Sequence, residues 1–189
     1  MKLAGRPVLV VGGGAMATVR ARQLAEVGAR VKLVAPEVRE EAAALAAEVH
    51  RRPFRPSDVD GVWFAVAAAP PEVNRQVAEA AEARRVLLNA VDDPSHASAY
   101  TGGAIRRGAA VIAISTGGRA PALAGLLREG IESCLPEDLE EWVGVAERLR
   151  ADWKRAGVPL PERRRLLLER LNARYSARRE DERVPDPLP

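Results

Sequence analysis

The stretch VLLNAVDDPSH, residues 86–96, breaks off an apolar run at Asn89 and then presents two neighbouring carboxylates, Asp92 and Asp93. A carboxylate at the end of a strand can accept or return a proton during a reaction. An aspartate ahead of Pro-Ser is equally ordinary turn chemistry. The residue types alone leave both roles open for each acid. A second chemical feature is GGGAMA, residues 12–17, in which Gly12, Gly14 and Ala17 fit G-x-G-x-x-A. In such a loop the first glycine permits a tight turn, the second lets backbone approach a pyrophosphate, and the small third residue lets a helix pack on a strand. The phosphates then meet the free N–H groups of the helix N-terminus.

Both features need a scaffold, and the chain supplies an alternating one. RPVLVVGGG reads as a short buried strand ended by Gly12, Gly13 and Gly14, and AMATVRARQLAEVGA as a helix stopped at Gly28. ARVKLVAPE gives a second strand, VREEAAALAAEV a second helix and VHRRPF a short third strand. GVWFAVAA is a strong central strand, PPEVNRQVAEAAEARR a helix whose prolines suit its first turn, VLLNAV strand five and AAVIAIS, residues 109–115, strand six. This alternation predicts an α/β fold, a Rossmann-like doubly wound parallel sheet. Ligands of such sheets bind outside the carboxyl ends of the strands, which puts Asp92 and Asp93 on the same edge as the glycine loop. From Pro121 onward three helices follow, each opened by a proline, and SARREDERVPDPLP reads as a frayed polar tail.

Composition limits the function classes. The net charge of +3 is too weak a bias to call for nucleic acid. The longest apolar runs fall short of the roughly 20 residues a membrane span needs, and the N-terminus lacks a signal-peptide cleavage pattern, so a cytoplasmic address is expected. Cys134, the only cysteine, excludes an internal disulfide and is expected to be buried. His96 with Asp92 and Asp93 makes too weak a ligand set to expect a metal. Trp63 is expected in the core, and Trp142 and Trp153 on a cleft or an interface. Neither a Gly-x-Ser-x-Gly elbow nor a P-loop lysine occurs, which argues against acyl and phosphoryl transfer. For the ribose, strand two ends at Ala35, with Glu37 the nearest acid and Arg39 a possible 2′-phosphate partner. The balance favours NAD over NADP.

NAVDDP, together with RRGAAVIAISTGGRAPALAGLLREGIESCLP, resembles in order and spacing the siroheme synthase N-terminal family, which comprises precorrin-2 dehydrogenase and, in some members, sirohydrochlorin ferrochelatase. The resemblance covers about residues 6–136. It implies NAD-dependent oxidation of precorrin-2 to sirohydrochlorin by a homodimer, with Asp92 as the acid/base. It further implies cofactor contacts at Ala15 and Met16 and at Glu37 and Val38, framed by Gly12, Gly13 and Gly14. Asn89, Ser115 and Thr116 are expected at the substrate, and Arg106, Arg107, Arg119 and Arg128 are candidates to clamp its carboxylates. The family plan maps onto residues 1–113 as NAD-binding domain, 114–147 as dimerisation segment and 148–189 as helical domain.

The chain departs from the family pattern at Ala69, Pro70 and Pro71, which replace a threonine and two acids, and at Val19 and Arg20, which replace an arginine–lysine pair. Dehydrogenation with weak or no iron insertion is therefore the leading expectation. The alternative is a diverged module that binds NAD or a tetrapyrrole with little turnover.

Overall fold

The computed structural model describes residues 1–181, with side chains described through Ala173. Five parallel strands, β1 (Pro7–Val11), β2 (Arg30–Ala35), β3 (Glu48–Arg51), β4 (Phe64–Ala67) and β5 (Leu87–Ala90), form one sheet in the order β3-β2-β1-β4-β5. The chain runs outward from β1 to one edge and then returns to fill the other side. The reversal of direction falls between β1 and β4, where a doubly wound sheet opens its ligand crevice.

Apolar residues on both sides of each strand require cover on both faces. Val8 and Val10 turn to one face and pack with Ala17, Ala21 and Leu24 of α1 (Ala15–Glu26). Leu9 and Val11 turn to the other and pack with Val77, Ala80 and Ala81 of α3 (Pro71–Ala83) and with Val59 of a 3-10 turn, Pro56–Val59. Small alanines on both helices bring helix and sheet backbones close together. Leu9, Leu33 and Leu88 are fully buried, each worth about 1.5–3 kcal/mol of apolar transfer.

Contacts divide the chain into two compact units. The first comprises Met1–Gly103 and Ser115–Gly125; the second comprises Ala104–Ile114 and the chain from Leu126 onward. In the second unit, β6 (Gly103–Arg107) and β7 (Ala110–Ile114) form their own two-stranded sheet. α5 (Leu139–Arg155) packs on β7 and on α6 (Leu160–Asp181). α4 (Pro121–Cys134) belongs in part to each unit.

Several sequence expectations need correction. AAVIAIS is not strand six of the parallel sheet: it pairs with β6, through a connection of two residues that can join only antiparallel neighbours. Its apolar run imitates a buried strand, yet Val111 is 52% exposed. β6 escapes a reading by hydrophobic pattern because only Ile105 of GAIRR is buried. The expected second helix shrinks to α2 (Glu40–Ala43), because Ala47 N–H donates to Val31 O at 2.8 Å and draws the chain back to the sheet. Trp63 stands outside β4, exposed, with the Arg6 guanidinium 3.9 Å from its ring centroid. Cys134 is exposed. Trp142 and Trp153 both lie half-buried on α5. The start of the expected frayed tail is helical as part of α6, and its remainder lies outside the described residues.

Candidate functional site

β1 ends where the chain must turn under another strand's loop, and the glycines there answer to backbone, not side-chain, neighbours. Gly12 has φ of +126°, and a Cβ on it would stand 2.2 Å from Ala68 O. A Cβ on Gly13 would stand 1.9 Å from Glu37 O. Each distance is far inside van der Waals contact, so the loops after β1, β2 and β4 lock together only around glycine. Arg39 N–H donates to Gly13 O at 3.1 Å and Gly12 N–H to Val34 O at 3.0 Å, closing the same junction.

Gly14 is different, since a Cβ there would meet nothing within 4 Å. It is the N-cap of α1, whose first turn carries no side-chain cap and no acidic residue. The amide dipoles of that turn therefore face open space with no anion of the protein's own. In front of it lies a cleft of about 910 Å³, walled by the glycine loop, residues 35–39 after β2, Pro53 and Phe54 after β3, residues 68–70 after β4, and Val73 and Gln76 on α3. An uncapped helix start with room before it, in a cleft of this size, fits a dinucleotide. Gly12, Gly13, Gly14, Glu37 and Val38 all line it; Ala15 and Met16 lie on the exposed first turn of α1 and are not among its lining residues. Phe54 and Gln76 join the site without having been expected there. The carboxyl-edge rule applied to β3 points to Phe54, and the i, i+3 spacing of Val73 and Gln76 on the helix after β4 points to Gln76.

The loop after β4 is held by Asn74, buried on α3, whose Oδ1 accepts the Ala69 N–H at 3.0 Å. Ala69 and Pro70 thus present an apolar wall to the cleft where the family pattern has polar side chains.

The two carboxylates separate sharply. Val91 N–H extends the sheet by donating to Ala67 O at 2.9 Å, and Asp92 then takes φ of +58°, which swings the chain off the sheet. This left-handed conformation is tolerated by aspartate better than by most residues. The exposed Asp92 side chain makes no hydrogen bond or ion pair among the described residues. Asp93 is fully occupied by the turn that follows: Ser95 Oγ donates to Oδ1 at 2.6 Å and His96 Nδ1 lies 2.6 Å from Oδ2. The Ser95 hydroxyl first, and His96 second, hold the Asp93 carboxyl below its ordinary range.

Other expected substrate residues fall in two groups. Asn89 is buried, its Nδ2 donating to Ala99 O at 3.1 Å and its Oδ1 accepting from Thr101 Oγ1 at 3.3 Å, so it fastens the returning loop. Ser115 Oγ accepts Gly117 N–H at 3.2 Å and Thr116 Oγ1 accepts Ala120 N–H at 3.1 Å, which shapes the turn leading into α4. The close approach of Gly118 to the Tyr100 ring and Pro94 brings that turn against the loop after Asp92. Arg119 is exposed. In the second unit, Arg107 and Arg128 both pair with Glu132, at 3.1 Å and 2.6 Å.

The strand order, the glycine junction and the uncapped α1 together define a dinucleotide-binding Rossmann domain. A family model for NAD(P)-binding matches residues 1–103, and one for the sirohaem biosynthesis protein central region matches residues 112–133. The chain belongs to the siroheme synthase N-terminal family that these two models mark out, and its cofactor is of the NAD(P) class. Siroheme synthase 3 of Aeromonas hydrophila is 41% identical over 169 residues, 87% of this chain and 36% of the relative. Siroheme synthase of Ectopseudomonas mendocina is 37% identical over 166 residues, 86% of this chain and 36% of the relative. The chain thus spans little more than a third of these curated relatives. The solved structure of SirC, precorrin-2 dehydrogenase, superposes with a TM-score of 0.66 at 29% identity, covering 89% of this chain and 86% of that one. No helix among the described residues is long and apolar enough to cross a membrane.

Proposed function

We propose that the chain is an NAD-dependent dehydrogenase that oxidises precorrin-2 to sirohydrochlorin, with Asp92 as the proton acceptor. The observation that carries this reading is the pairing, on one sheet edge, of the dinucleotide cleft with a carboxylate left free of every other task. The names of the structural neighbour and of the relatives support the substrate class.

Bound NAD supplies the hydride acceptor for the oxidation. The chain's own residues do the rest. Gly14 and the first turn of α1 would hold the pyrophosphate through N–H groups, and Glu37, in the loop after β2, would meet the adenosine ribose. Phe54, Ala69 and Pro70 keep water from the cleft wall. Asp92 Oδ takes the proton that the substrate releases as the hydride leaves. Because Ala69 and Pro70 provide no ligating side chain beside that carboxylate, the proposal is for dehydrogenation with little or no iron insertion.

The chain is further proposed to act as a cytoplasmic homodimer, with residues 114–147 as dimerisation segment and a helical domain from residue 148, whose expected end at 189 lies outside the described residues. Val111, Leu126, Leu127, Leu160 and Leu168 of the second unit are exposed apolar side chains that a second copy would cover. Anaerobic incubation of the purified protein with precorrin-2 and NAD should yield NADH and the sirohydrochlorin spectrum together. A folded protein that binds NAD and forms neither would overturn the reading in favour of a binding module.

A further inference from the structure

The arginines that meet an acidic substrate are best sought among those the fold leaves unsatisfied, and Arg107 and Arg128 are already engaged by Glu132. Arg20 is not. It stands on α1, in the turn after the one that faces the cleft, and is half-buried. Its Nη1 donates to Gln23 Oε1 at 2.9 Å, whereas its Nε is shielded from solvent and has no hydrogen-bond partner. A buried donor left without an acceptor costs about 1–3 kcal/mol, a cost relieved when the side chain turns its fork toward an acidic ligand.

The location is informative. Ala17 and Ala21 of α1 share one apolar cluster with Val91 and Ala99, so Arg20 stands beside the loop that opens with Asp92 and closes at Ala99. Burial lowers the Arg20 pKa from its ordinary value, while the charge of Asp92 works in the opposite direction. Yet no ion pair joins the two side chains. A partly desolvated guanidinium that pairs with no carboxylate of the described residues, next to the free carboxylate of the site, offers a planar fork for a carboxylate ligand.

We propose that Arg20 is a carboxylate clamp beside Asp92, binding one acidic side chain of the tetrapyrrole so that the ring edge lies at that aspartate. This rests on the tetrapyrrole reading above. The test uses the full chain with NAD bound and uroporphyrin I, a porphyrin carrying carboxylates on every ring, as probe in a fluorescence titration. Arg20→Met should weaken porphyrin binding about tenfold or more, a change of ~1.4 kcal/mol. Arg20→Lys, which keeps the charge but not the planar fork, should recover part of it, and NAD affinity should stay level in both. Unchanged porphyrin affinity in Arg20→Met, or a parallel loss of NAD affinity, overturns the clamp. Should Arg20→Met fail to fold, Arg20→Gln carries the same test. Wild-type protein whose porphyrin binding depends on Arg20 but which forms no NADH from precorrin-2 sinks the dehydrogenase reading alone. NADH formation with an unaltered KM in Arg20→Met sinks the clamp alone.

Discussion

The glycine junction and the Asp92 loop leave the same edge of one sheet, and they are built on opposite principles. The first is held mainly by backbone: Gly12 and Gly13 are pressed against the carbonyls of Ala68 and Glu37, and Asn74 braces the loop after β4. The second is held by side chains, with Asn89 tying down Ala99 and Thr101 while Asp93 gathers Ser95 and His96. A cofactor site made of backbone tolerates almost no change in residue size but is indifferent to charge. The proton-transfer site proposed on this tethered loop tolerates small changes in packing but depends on which carboxylate its neighbours leave free.

The contrast is broken most severely at Gly13. Gly13→Ala places a methyl 1.9 Å from Glu37 O, where only movement of backbone can relieve it. The loop after β2 must shift, and NAD binding should fall below detection by calorimetry, with a lower melting temperature. Gly14→Ala has open space before its methyl in the free protein. It should melt like wild type yet bind NAD more weakly, because the methyl occupies the phosphate's approach. Equal melting losses in the two variants would show that the junction is not the rigid element described.

Next in size is Asp92→Asn, which keeps shape and removes the proposed base. Turnover of precorrin-2 should drop by about a hundredfold to ten-thousandfold, while the NAD dissociation constant moves little. If Asp93→Asn proves as damaging as Asp92→Asn, the two acids have been assigned the wrong way round. A smaller effect belongs to Asn74→Ala, which leaves the Ala69 N–H without its acceptor. Chemical denaturation should report a loss of about 1–3 kcal/mol, accompanied by a rise in the NAD dissociation constant as the wall at 68–70 loosens.

The same contrast explains what can be read from the residues. Steric need leaves a direct trace in residue type, so GGGAMA between strand and helix announces the cofactor loop, and the alternating elements announce the sheet that holds it. Where tertiary contacts override local pattern, the trace fails. VREEAAALAAEV is helical by composition, but the pairing of β3 with β2 ends the helix after four residues. AAVIAIS has the composition of a buried strand, and its pairing with β6 lies in another sheet. Family resemblance singles out Asp92, but why Asp92 and not Asp93 is free becomes visible only from the atoms that Ser95 and His96 direct at the second acid. The engagement of Arg107 by Glu132 is equally invisible in spacing, since the two stand on β6 and α4, whereas the i, i+4 pair of Arg128 with Glu132 can be read from the sequence.

The finest test of the comparison lies in Asp93. Its carboxyl is held below the ordinary range by the Ser95 hydroxyl and by His96, so the folded turn favours the ionised form. A group depressed in this way stabilises its fold above the unfolded carboxylate pKa, and that contribution is lost as pH falls through the lower folded value. Solvent reaches this carboxylate, so screening keeps the effect on global stability small. It should instead be visible locally. Ser95→Ala removes the larger cause, and carboxyl-detected NMR titration should show the Asp93 pKa rising toward that of a free aspartate, with the loop resonances shifting at higher pH than in the wild type. Turnover near neutral pH should be unaffected, because Asp93 stays ionised there in both proteins and Asp92 receives nothing from Ser95. A Ser95→Ala protein with slowed chemistry would mean that the turn sets the direction of the Asp92 carboxylate as well, and that the loop's two acids work as one unit.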